Sequence, residues 1–77
     1  MADHVARLAR ALRRAVDEHG RPNTFGPGEL ASLCGGPSAM IAGRIGRDIV
    51  LMGRLYEAIG GHAWGSAPRY AGGRFAV

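Results

Sequence analysis

The sequence predicts a mainly α domain closed by a C-terminal β-hairpin. Three observations carry this: apolar residues recur at helical spacing in two long stretches, glycine and proline punctuate the chain between them, and residues 62–77 hold short aromatic and apolar runs around loop residues. With 77 residues there is room for one small core, so 1–77 is taken as a single domain and a deep-clefted multidomain enzyme is excluded. An apolar content of 47% and a mean hydropathy near zero belong to a globular chain, not a disordered one.

The first helix is expected over 3–19. Val5, Leu8, Leu12, Val16 and His19 recur three and four apart, so at ~100° per residue they share one face. His19, on that stripe, reads as a core or capping histidine. Asp3 suits the N-cap, and Gly20 followed by Pro22 suits the stop. Arg7, Arg10 and Arg14 face the other way, and Arg13–Asp17 and Arg14–Glu18 are four apart, a spacing that neutralises part of this solvated face. Residues 21–26 form a turn-rich connector with a stub of extended chain at Thr24 and Phe25, Phe25 anchoring it in the core.

A short helix over 27–34 starts at Pro27, whose missing N–H is no loss in a first turn, with Glu29 favoured there by the helix dipole. Cys34 falls on its apolar side as a core residue. Gly35-Gly36 ends it. The longest helix is expected over 38–59, with Ile41, Ile45, Ile49, Met52, Tyr56 and Ile59 as its inward stripe and Met40, Val50 and Leu51 off it. Gly43, Gly46 and Gly53 interrupt this helix, and a glycine kept there signals a bend or the close approach of another group. The hairpin occupies 62–77. Strands at 62–64 and 74–77 are one register, and Arg69-Tyr70-Ala71 pairing across Gly72-Gly73 is the other; Trp64 and Phe75 read as its apolar base.

All ten basic residues are arginine, against six acids, for a net charge of +4. That balance suggests a polyanionic partner. One cysteine cannot staple a domain, so an intracellular, cytoplasmic location is expected, and no stretch reads as an export leader or a bilayer span. The three histidines are scattered, and no paired carboxylates, Cys/His cluster, phosphate loop or nucleophile–base pair is present in the sequence. No metal, cofactor or catalytic activity is therefore expected.

Gly28-Glu29-Leu30-Ala31-Ser32-Leu33-Cys34-Gly35 resembles the "ELAxxLG" second helix of winged helix-turn-helix domains, and Gly36-Pro37-Ser38 stands where that family's turn enters its recognition helix. Arg69-Tyr70 and Arg74-Phe75-Ala76-Val77 would be the wing and its return strand. The resemblance covers essentially the whole chain and implies a three-helix winged helix-turn-helix that binds double-stranded DNA as a transcription regulator or nucleoid-associated, chromatin-type factor. It places Ser38, Met40, Arg44 and Arg47 in the major groove, and Arg69, Tyr70 and Arg74 on the backbone or minor groove. A homodimer would read half-sites roughly 34 Å apart.

Two alternatives stay open. Winged helices also serve as protein- or RNA-binding subunits of larger assemblies, and an exposed Val50-Leu51 pair would favour that use. Separately, Ile41-Ala42-Gly43-Arg44-Ile45-Gly46-Arg47-Asp48-Ile49 resembles the "IIGxxGxxI" signature of KH domains, whose GxxG loop clamps single-stranded nucleic acid. That likeness covers nine residues, without the preceding strand a KH domain has.

Overall fold

The computed structural model describes residues 2–60 and 67–77. Among them the chain forms α1 (Ala2–His19), β1 (Thr24–Phe25), α2 (Pro27–Cys34), α3 (Gly36–Met40), α4 (Ala42–Gly46), α5 (Ile49–Ile59), β2 (Arg69–Ala71) and β3 (Arg74–Ala76). It is mainly helical with a small antiparallel sheet. The strand expected at 62–64, Trp64 included, lies outside the described residues.

Helix α1 forms where its periodicity predicts, with Val5, Leu8 and Leu12 buried and Val16 half-buried. The stripe ends one turn earlier than expected, because His19 is exposed, its Nε2 3.8 Å from Glu18 Oε2. Helix α2 starts at Pro27, and Glu29 Oε1 accepts a 3.4 Å hydrogen bond from the Gly26 N–H, satisfying a donor that no earlier turn can reach. Gly35 then takes a positive φ of 89°, which ends α2 and opens α3.

The helix expected over 38–59 is three helices. Ile41 breaks α3 from α4, and Arg47–Asp48 breaks α4 from α5. At Asp48 the backbone is extended (φ −113°, ψ 116°), while its carboxylate accepts the N–H of Val50 at 2.9 Å and of Leu51 at 3.1 Å. Asp48 is thus the N-cap of α5. The break changes which side chains face inward. In an unbroken helix the six-residue step from Ile45 to Leu51 leaves them about 120° apart. Interrupted at Asp48, both are buried, with Leu55 and Ile59 continuing the α5 stripe. Ile49 is the converse: expected inside, it is 89% exposed, and Met52 and Tyr56 are half-buried.

The sheet order is β1-β3-β2. Gly72 and Gly73, both at positive φ (59° and 75°), turn β2 into β3, so Arg69-Tyr70-Ala71 is the pairing strand. Thr24 pairs with Ala76 and Phe25 with Phe75, and Asn23 and Val77 exchange two 2.9 Å backbone hydrogen bonds. The ribbon is thereby tied to the connector after α1. Leu8, Leu12, Phe25, Leu30, Ile45, Leu55 and Phe75 meet in a single core cluster drawn from helices and sheet alike.

Candidate nucleic-acid interface

The geometry is built on the glycines of α4. Gly43 and Gly46 are three apart and share one side of the helix. Tyr70, the inward residue of β2, lies on that side. A β-carbon on Gly46 would fall 2.6 Å from Tyr70 Cβ, and one on Gly43 would fall 3.0 Å from the Tyr70 hydroxyl and 3.3 Å from Arg47 Nη2. Bare backbone is therefore what lets β2 dock on α4. The Tyr70 ring also meets Phe75, its cross-strand neighbour, at 4.9 Å between centroids and 57° between planes. The Arg47 guanidinium stands 5.9 Å from the Tyr70 centroid, within cation–π reach.

Arg44 on α4 and Arg47 at its C-cap are exposed, and so is Arg69 on β2 beside Tyr70. Among the described residues none of the three pairs with a carboxylate. Strand alternation puts Arg69 on the sheet face opposite the Tyr70 ring. The seam between α4 and β2 thus brings Arg47 to Tyr70, while Arg44 stands on α4 away from the Gly43–Gly46 side and Arg69 on the other face of β2.

Three of the expected contact residues stand elsewhere. Ser38 is fully buried, its hydroxyl 3.0 Å from His4 Nδ1, so it fastens α3 to α1 and has no surface to offer a groove. Met40 ends α3 and is 86% exposed, but the break at Ile41 separates it from the helix that carries Arg44 and ends at Arg47. Arg74 reaches toward β1, the side of β3 away from β2. It donates to Glu29 Oε1 at 2.8 Å and, at 3.3 Å each, to the hydroxyl and carbonyl oxygens of Thr24. Its charge is matched, and it straps the ribbon to α2. That contact, with the Gly26 N–H, holds the Glu29 carboxyl below its ordinary range.

The Tyr70 ring also covers the Gly43–Gly46 surface that a GxxG clamp would leave open to phosphate. On α1, neither Asp17 with Arg13 nor Glu18 with Arg14 comes within ion-pair distance; Glu18 turns to His19 instead. The guanidinium face of α1 is consequently less neutralised than its spacing suggests. Among the described residues no three of His, Cys, Asp and Glu gather into a cluster, and no helix is long and apolar enough to cross a membrane. Comparison with protein-family models, with curated proteins and with solved structures finds no match to this chain.

Proposed function

We propose that this chain is a winged-helix-type domain that binds duplex DNA through the α4–β2 seam, as a regulator or chromatin-type factor. One observation carries the reading: the contact of Tyr70 with Gly43, Gly46 and Arg47 fixes the ribbon strand against α4, which bears Arg44 and ends at Arg47, and Arg44, Arg47 and Arg69 have no acidic partners among the described residues. The element order supports it too, since a helix, a stub strand and a second helix precede a glycine turn, a helical run and a ribbon that returns to the stub.

Within this reading the roles divide by geometry. Arg44, Arg47 and Arg69 neutralise phosphates, each with a planar fork that can donate two parallel hydrogen bonds. Tyr70 positions Arg47 and the strand. Arg74 holds the ribbon in place and makes no contact of its own. Because α4 spans only Ala42–Gly46, it presents Arg44 alone, with Arg47 at its C-cap, which favours backbone contacts over an extended read of base edges. Binding is then tolerant of sequence and steeply weakened by salt.

A second reading, an assembly subunit that docks on protein, draws on the exposed Met40, Ile49 and Val50. Gel-shift titration separates the two, using duplex DNA and single-stranded RNA at a low and a higher salt concentration. The DNA reading requires a duplex shift that weakens with salt. Absence of any nucleic-acid shift at low salt would leave the protein-docking reading.

A further inference from the structure

Away from the seam, α1 and α2 enclose a cleft of about 290 Å³ lined by Arg7, Arg10 and Arg14, with Ala11, Leu33 and Cys34 as its apolar lining. No carboxylate lines it. A second cleft of about 320 Å³ shares Arg10 and Arg14 and adds Arg13 and Asp17, so one acid and three arginines line it. Among the described residues none of these four arginines makes an ion pair or a side-chain hydrogen bond.

Like charges three and four apart on a helix repel, so this stripe opposes its own helix until an anion sits between its members. Apolar walls beneath cations of one sign concentrate their field on whatever enters. At 1.5 Å per residue, Arg7 to Arg14 spans about 10 Å along α1. That is longer than one oxyanion and matches linked phosphoryl groups. Guanidinium forks meet phosphate oxygens in paired hydrogen bonds, which a point-like ammonium does not.

We propose that the α1–α2 cleft is a binding site for two or more linked phosphoryl groups, held by Arg7, Arg10 and Arg14. The same chemistry is offered by a free oligophosphate and by a nucleic-acid backbone. The site is separate from the α4–β2 seam and does not depend on duplex binding there.

Cys34, the one cysteine of the chain, lines this cleft and is partly buried, so its alkylation reports on the cleft alone. The test follows the rate at which iodoacetamide, a neutral reagent, alkylates Cys34 in the full chain. Tripolyphosphate, a short oligonucleotide and sodium chloride of equal ionic strength are compared. We expect a slowing of about tenfold once a phosphate ligand stands at about ten times its dissociation constant. Slowing by tripolyphosphate identifies a free oligophosphate as sufficient; slowing by the oligonucleotide alone identifies a strand backbone. In either case it must be lost in Arg10→Gln/Arg14→Gln and kept in Arg44→Gln/Arg47→Gln. Independently of any substitution, the Nε–H resonances of Arg7, Arg10 and Arg14 must shift in the unsubstituted protein as the same ligand is added. The proposal is overturned if neither phosphate compound slows alkylation beyond the chloride control. It is equally overturned if protection survives in Arg10→Gln/Arg14→Gln, disappears in Arg44→Gln/Arg47→Gln, or comes without those resonance shifts.

Discussion

Tyr70 lies on the bare backbone of Gly46, in the space a β-carbon would occupy. This contact joins the terminal ribbon to the helical body and holds Arg47 at the seam.

Gly46→Ala forces the Tyr70 ring away and destabilises the fold by about 1–3 kcal/mol, as overpacking does. Gly53 is the control. It lies inside α5 at ordinary helical φ, and a β-carbon there meets nothing within 4 Å. Gly53→Ala therefore stabilises by about 0.4–1 kcal/mol. Urea unfolding of the two variants reads both signs. Equal effects at the two glycines would remove the close approach from the account.

The α4–α5 break makes a second prediction. Asp48→Ala removes the carboxylate that accepts from Val50 and Leu51 and lowers stability by about 1 kcal/mol. Ile49→Ser changes little, within about 0.5 kcal/mol, because the side chain is in water. Leu55→Ala, in the core, lowers stability by about 2–5 kcal/mol. A continuous helix over 38–59 would reverse the rank of Ile49.

These helices also show what the sequence made legible. The spacing of Val5, Leu8 and Leu12 in α1, the Pro27 start of α2 and the Gly72-Gly73 turn each act through neighbouring residues, so they could be read directly. The Asp48 break could not be read from the stripe, because Ile41, Ile45, Ile49 and Met52 fit an unbroken period as well as a broken one. A local signal is present nonetheless: an aspartate followed by Ile-Val-Leu-Met is an N-cap pattern. The candidate site was legible in part. Arg44, Arg47, Arg69 and Tyr70 could be singled out by type and position, whereas the burial of Ser38 and the capture of Arg74 by Glu29 join residues 34 and 45 apart in sequence, which no local pattern encodes.

Ser38 separates a structural role from a contact role. Ser38→Ala removes the hydrogen bond to His4 and costs about 0.5–1.5 kcal/mol of stability, read by thermal or urea unfolding. Duplex affinity of the folded variant stays unchanged. A loss of affinity with unchanged stability would return Ser38 to the interface.

The Glu29–Arg74 pair gives a pH dependence of defined sign. Arg74 and the Gly26 N–H hold the Glu29 carboxyl below its ordinary range, so the unfolded chain takes up a proton more readily than the folded one. The pair's contribution is complete above the unfolded value of about 4.3 and is lost as pH falls through the lower folded value. Both groups are exposed, so the effect is small. Urea midpoints at pH about 6 and about 3 should fall more in the unsubstituted chain than in Glu29→Gln. Equal falls would show that the strap adds nothing.

The most direct test of the seam is the salt dependence of duplex binding in the unsubstituted chain and in Arg44→Gln/Arg47→Gln, both checked for fold by circular dichroism. If these arginines neutralise two phosphates, the double variant binds more weakly, and its slope of log affinity against log salt is shallower by about 1.8. An unchanged affinity and slope in the double variant, or no duplex binding by the unsubstituted chain at low salt, would contradict it.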